Sequence, residues 1–219
     1  MKLTKNQTVG EEIANSISHG IMVLFGIAVL LTLIIRSGYN PYKLSGAIIY
    51  GFSVTLLYIF SCIYHALGNG KAKWSVFKRL DHLSIYLLIG GTYAPILLNL
   101  SSINNHVWGG LSAGIWIFII QWIVIIIGIT FQSIWIKKYH WLHVALYLIL
   151  GWSAMMFIGD IYRFNVVFFW LILTGGLCYT LGVVFYAIPK VFYFHFVWHI
   201  FTMLGTIFHA VAILIFIYV

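Results

Sequence analysis

Seven long runs of apolar residues follow one another along the chain, separated by short stretches that hold nearly all of its charge. They cover roughly 13–35, 44–67, 80–100, 108–131, 141–158, 166–188 and 195–218. Each is about 18 to 24 residues long, enough for an α-helix to cross the hydrocarbon of a bilayer. Lipid offers no water to backbone N–H and C=O groups, so spanning segments are helices or closed barrels. Barrel strands alternate apolar and polar residues, whereas these runs are continuously apolar. The sequence therefore predicts an all-α integral membrane protein, a single seven-helix transmembrane bundle over residues 1–219. Composition agrees: 63% of the 219 residues are hydrophobic and only 7% are charged, against about a quarter charged in soluble domains.

Charge sets the expected orientation. The N-terminal segment and the second, fourth and sixth loops carry Lys2, Lys5, Lys71, Lys73, Lys78, Arg79, Lys137, Lys138 and Lys190. The opposite side carries Arg36, Lys43 and Arg163. Nine against three predicts a cytoplasmic N-terminus and, with seven spans, an external C-terminus. The net charge of +8 arises from these loop residues set against Glu11, Glu12, Asp81 and Asp160. It orients a multi-pass protein in a cell membrane, and no nucleic-acid partner is expected. Met1–Glu12 is polar, and the run from Ile13 to Ile35 is too long for the core of a signal peptide. Cys62 and Cys178 lie inside apolar runs, which argues against a disulfide framework.

The polar residues within the runs gather at one end. His195 and His199 open the last run, four residues apart and so on one helix face. Ser61 and His65 close the second, and Asp81 opens the third. In the first, Glu12, Asn15, Ser16 and His19 form a polar stripe at helical spacing. All fall at the cytoplasmic end of their spans. A carboxylate buried in lipid is costly unless it is paired or serves a metal or water. The economical arrangement is one site, with His65, His195 and His199 as three imidazole ligands and Asp81 and Ser61 beside them.

Three histidines with an open fourth position are the ligand set of a catalytic zinc site. Zn2+ lowers the pKa of its water to about 7. Asp81 orients that water or takes its proton, and Ser61 donates a hydrogen bond to the water, to Asp81 or to a developing oxyanion. Acyl chains come from the bilayer, so membrane lipids are the expected partners, as amide or ester substrates.

Blander roles compete with these. The His65, Asp81, His195 and His199 set also fits a hydrogen-bonded packing network without metal. For Glu12, Asn15 and His19 two roles stay open: interhelical hydrogen bonds worth about 1 kcal/mol each, or contact with the ligands or substrate. His82 follows Asp81 directly and is expected to point away to the interface. His140 and His143, beside Lys137 and Lys138, are expected to meet headgroups. His209 lies about 15 Å along the helix from His199 and is expected to pack in the bundle, as is Cys62. Phe192, Tyr193, Phe194, Phe196 and Trp198 fit an interfacial belt. Asp160 and Arg163 are expected to form a surface ion pair in an outer loop.

Ser61-x-x-x-His65, Leu80-Asp81-His82 and His195-x-x-x-His199 resemble the signature of the progestin and adiponectin receptor superfamily. Glu12-x-x-Asn15-x-x-x-His19-Gly20 and Gly90-Gly91-Thr92-Tyr93-Ala94-Pro95 resemble more narrowly its bacterial branch, the hemolysin III family. The likeness covers essentially the whole chain. It implies zinc held by His65, His195 and His199, with Asp81 acting through water and Ser61 nearby. It also implies kinship with alkaline ceramidases, hence a lipid hydrolase. The branch is named for cytolysis, and a role in membrane-lipid homeostasis is also attached to it. The polar segment before the first run is short, so hormone reception through a long N-terminal domain is not implied.

Three functions follow: a zinc-dependent lipid hydrolase, a receptor-like lipid sensor with structural zinc, and a pore-forming cytolysin. A pore expects polar residues through the full depth of several spans, but here the outer halves are almost wholly aliphatic and aromatic. The oligomeric state leaves no mark on the sequence.

Overall fold

Thr8 starts the first helix well before the apolar run begins. Its hydroxyl accepts from Glu11 N, and Glu11 Oε2 accepts from Thr8 N at 2.7 Å, which is a capping box. The box draws Glu11 and Glu12 into the first turn of a helix that carries the apolar stripe. The computed structural model describes residues 7–67, 76–135 and 138–219. Lys2, Lys5, Lys71, Lys73 and Lys137 of the orientation count lie outside them.

Helices dominate the described residues. They are α1 (Val9–Ser37), α2 (Pro41–Ala66), α3 (Lys78–Asn99), α4 (Ser101–Asn104), α5 (Ala113–Trp135), α6 (His140–Gly151), α7 (Ile158–Phe164), α8 (Val166–Tyr186) and α9 (Phe194–Phe216). Asn40 caps α2 ahead of Pro41, and Asn165 caps α8 through Val167 N and Phe168 N. Among the described residues, six segments are long and apolar enough to cross a membrane: α1, α2, α5, the stretch His140–Phe164, α8 and α9. α3 is 22 residues long but opens with Lys78, Arg79, Asp81 and His82. It tolerates that polarity because α2, α5, α6 and α9 all pack against it.

Three boundaries differ from the sequence reading. The run expected at 108–131 starts later, because β1 (Val107–Trp108) and β2 (Leu111–Ser112) pair as a small antiparallel hairpin. Gly109 and Gly110 turn it with φ of 55° and 83°, the signs a two-residue hairpin loop needs. The run expected at 141–158 is not one α-helix. The Tyr93 hydroxyl donates to Gly151 O at 2.5 Å and accepts from Ala154 N at 2.8 Å. A side chain inserted into the backbone ladder interrupts the helix, and Trp152–Phe157 is 3-10. Residues 159–164, expected as loop, are helical in α7. Asp160 and Arg163 therefore sit on that helix, and no ion pair joins them among the described residues.

Small residues let the helices approach. A Cβ on Gly26 would stand 2.9 Å from Thr55 Oγ1 and 3.1 Å from Thr55 Cα, so α1 and α2 meet backbone to backbone. α9 packs against α8, α1 and α3. This brings the start of α9 to the start of α1, the end of α2 and the start of α3. Tyr50, Val54, Tyr58, Leu97 and Ile213 fill the core beyond that end.

Candidate metal centre

Three histidines from two helices face one another where those helix ends meet. His65, in the last turn of α2, is 3% exposed, and His199, in the second turn of α9, is 2% exposed. His195 is half-buried one turn earlier. One ring nitrogen from each lies within 4.8 Å of the others. His195 Nε2 and His199 Nε2 are 3.2 Å apart. A tetrahedral site with Zn–N of about 2.1 Å spaces its ligand nitrogens by roughly 3.4 Å, so the α9 pair already stands at that spacing.

Glu12 fixes the third ring. Its Oε2 lies 2.7 Å from His65 Nδ1. A carboxylate there holds the proton on Nδ1 and turns the lone pair of Nε2 inward. That Nε2 is buried and has no hydrogen-bond partner among the described residues. A buried acceptor left unpaired costs about 1–3 kcal/mol, and a cation shared with His195 and His199 would relieve it. Donor chemistry, spacing and the lone nitrogen all fit a borderline divalent ion such as zinc.

Asp81 and Ser61 flank the triad. The Ser61 hydroxyl, 3% exposed, is hydrogen-bonded to the Asp81 carboxylate, which also lies within electrostatic reach of His65. His82 does not point away as its adjacency to Asp81 suggested. Its Nδ1 lies 3.1 Å from Asp81 Oδ2, and both side chains are largely buried.

The α1 stripe lies along the same centre. Ser16 Oγ donates to Cys62 O at 3.1 Å and so ties α1 to α2. Asn15 Nδ2 donates to Gln7 Oε1 at 2.9 Å, and the Asn15 backbone comes up against the His199 ring. His19 stacks on His199, with ring centres 3.7 Å apart and planes 12° from parallel, and meets the edge of Tyr58. It lies against one of the three histidines without joining their group. Glu11, left without a role by the sequence, touches α9: Tyr193 N donates to Glu11 Oε1 at 2.6 Å. The capping-box spacing Thr8-x-x-Glu11 was the available signal, but it speaks only of the local helix start.

The remaining histidines correct the headgroup expectation. His143 is 1% exposed, and its Nδ1 is 2.9 Å from the Tyr86 hydroxyl. His140 Nε2 is 3.2 Å from the Tyr186 hydroxyl. Both serve helix packing. His209 Nε2 donates to Ile172 O at 3.0 Å, so it packs α9 against α8, away from the triad. Cys62 and Cys178 are free thiols.

Deeper in the bundle lies an apolar cavity of about 140 Å³. Leu57, Leu88, Tyr147, Trp198, Thr202 and His209 are among the side chains that line it. Trp198 and Thr202 flank His199 on α9.

Comparison with known proteins identifies the family. The family model described as "Haemolysin-III related" matches residues 7–210. A hemolysin-3 homolog of Bacillus subtilis is 34% identical over 202 residues, 91% of this chain and 91% of that protein. Hemolysin-3 of Bacillus cereus is 34% identical over 212 residues, 94% of this chain and 91% of that protein. The monocyte to macrophage differentiation factor of Homo sapiens is 28% identical over 211 residues, 94% of this chain and 84% of that protein. No solved structure matches. With its apolar helices and a match over nearly its whole length, the chain is a multi-pass membrane protein that belongs to the haemolysin-III-related family.

Proposed function

We propose that the protein is a zinc-dependent hydrolase of lipid amide or ester bonds that serves membrane-lipid homeostasis. The observation that carries this is the convergence of His65, His195 and His199 beside a Ser61–Asp81–His82 chain of contacts. A site that only stabilised the fold would be closed by a fourth protein ligand. Here the groups beside the triad are a carboxylate and a hydroxyl, which suit proton transfer.

Zinc bound there would supply a water whose pKa is lowered to about 7. Asp81 accepts a proton from the attacking water and returns it to the leaving amine or alcohol, the ordinary work of a general base and acid. His82, against Asp81 Oδ2, keeps the carboxylate oriented. Ser61 steadies Asp81 from α2 and stands ready to donate instead to the oxyanion that develops on the acyl oxygen when the acyl carbon is attacked. Glu12 keeps His65 in the ligating tautomer. His19 backs the His199 ring. The apolar cavity lined by Trp198 and Thr202 accommodates part of an acyl chain reaching the site from the bilayer.

The proposal takes α3 as a seventh span, with the N-terminus and the centre on the cytoplasmic side. Alternation of the helices then places the C-terminus outside. A receptor-like lipid sensor would use the same three histidines and would need no base at Asp81, and that difference separates the two. Metal content and hydrolysis of N-acyl and ester lipids in detergent micelles are measured for wild type, Asp81→Asn and His199→Ala. The hydrolase retains metal in Asp81→Asn and loses turnover by about 10²-fold or more. Full turnover in Asp81→Asn would remove Asp81 from the chemistry. Lipid-responsive behaviour with no hydrolysis in wild type would favour the sensor.

A further inference from the structure

Tyr193 has the one left-handed backbone found in a non-glycine residue among the described residues, with φ 61° and ψ 3°. Aromatic residues seldom adopt that region unless their surroundings hold them in it. It stands directly before α9, whose start has no side-chain cap. His195 follows two residues later and His199 six.

What holds the turn is Glu11, 182 residues away in sequence. Its Oε1 accepts from Tyr193 N at 2.6 Å, while its Oε2 accepts from Thr8 N at 2.7 Å and Thr8 Oγ1 at 2.8 Å. The residue is 5% exposed. The Tyr193 ring also comes over the first turn of α1, where a Cβ on Gly10 would stand 3.0 Å from the Tyr193 hydroxyl. Backbone and ring of Tyr193 are thus both seated on α1. In the same turn of α1, Glu12 holds His65 of α2. Adjacent carboxylates therefore reach two different ligand-bearing helices.

We propose that Glu11 is a positioning residue for the metal centre: by holding Tyr193 in its left-handed turn, it fixes where α9 presents His195 and His199. The proposal rests on the metal centre described above. Among the described residues, the hydrogen bond that joins Glu11 to α9 is the one to Tyr193 N, so the turn is the route by which it reaches the ligands. A residue that merely capped α1 would do its work through Thr8 and leave α9 unaffected.

The test measures two quantities on the full-length protein in detergent: amide hydrogen exchange over residues 190–196, and zinc affinity by competition with a chelating dye. Glu11→Ala is expected to speed exchange at Tyr193 and to weaken zinc binding about tenfold or more, the range for a group that supports a ligand from behind. Glu11→Gln keeps an oxygen for Tyr193 N–H and is expected to retain most of the affinity. Adding Tyr193→Gly to Glu11→Ala is expected to restore much of it, because glycine enters the left-handed region without strain. Thr8→Ala is expected to leave zinc affinity nearly unchanged. If Glu11→Ala does not yield folded protein, Glu11→Asp, one methylene shorter, takes its place with the same expected rescue by Tyr193→Gly.

Unchanged exchange, unchanged zinc affinity, or failure of Tyr193→Gly to improve on the single variant would each overturn the proposal. Wild-type protein that binds no zinc would instead remove the metal centre. Exchange alone then decides: faster exchange in Glu11→Ala sustains the grip on the turn, and unchanged exchange overturns it.

Discussion

Glu12 Oε2 lies 2.7 Å from His65 Nδ1, so a carboxylate on the first helix sets the proton, and with it the ligating face, of a histidine on the second. Such a carboxylate raises the basicity of the ring and fixes its orientation, and its loss commonly weakens metal binding 10- to 100-fold, in round terms about 1.4 to 2.7 kcal/mol. Glu12→Gln is predicted to lower zinc affinity at the gentler end of that range, because an amide oxygen still accepts the Nδ1 proton. Glu12→Ala falls at the severe end. Chelator competition at fixed pH measures both, and equal affinity in all three proteins would contradict the pairing.

The contact between His82 and Asp81 makes a separate prediction. His82→Gln is expected to keep zinc affinity near the wild-type value and to lower turnover about tenfold, a smaller loss than removing the base itself. Steady-state hydrolysis alongside metal titration checks this. A loss of zinc equal to the loss of turnover would mean that His82 supports the ligands and not the carboxylate.

Helix packing is tested at Gly26. A Cβ there meets Thr55 Oγ1 at 2.9 Å and the Thr55 backbone at 3.1 Å, and the backbone atom cannot swing aside. Gly26→Ala is predicted to destabilise the bundle by about 1–3 kcal/mol, the usual cost of overpacking. Thermal unfolding in detergent, followed through a native cysteine, should show a clearly lowered midpoint. A midpoint at the wild-type value would mean that α1 and α2 are free to separate.

Orientation is tested by labelling. Tyr39, in the turn between α1 and α2, is fully exposed, and Lys190 lies between α8 and α9. In a background with Cys62 and Cys178 replaced by serine, Tyr39→Cys should react with an impermeant maleimide on intact cells. Lys190→Cys should react only after the membrane is opened. The reverse pattern would invert the protein and move the centre to the outer face.

How much of this was legible in the sequence depended on how far apart the interacting residues lie. His65, Asp81, His195 and His199 stood out because each interrupts an apolar run near the same end, and the charge count gave that end a common side. Their convergence needed no fine geometry. The Tyr93 hydroxyl breaking the helix at Gly151, and Glu11 reaching Tyr193, were invisible because no local pattern encodes a contact between distant segments. The hairpin at Val107–Ser112 was legible in principle from Gly109-Gly110 between Trp108 and Leu111, but the apolar run that follows concealed it. His82 was misplaced because adjacency on a helix says only that the two Cβ atoms diverge, and the imidazole is long enough to bring Nδ1 to 3.1 Å from Asp81 Oδ2.

The central claim, a cation held by three imidazoles with one position left for water, is tested most directly by X-ray absorption on the zinc-loaded protein. Wild type should show about one zinc per chain with only nitrogen and oxygen neighbours at about 2.0–2.1 Å and the multiple-scattering signature of imidazole. His65→Ala, His195→Ala and His199→Ala should each weaken or abolish that signal. Failure of the wild type to retain zinc, or sulfur neighbours at about 2.3 Å, would contradict it.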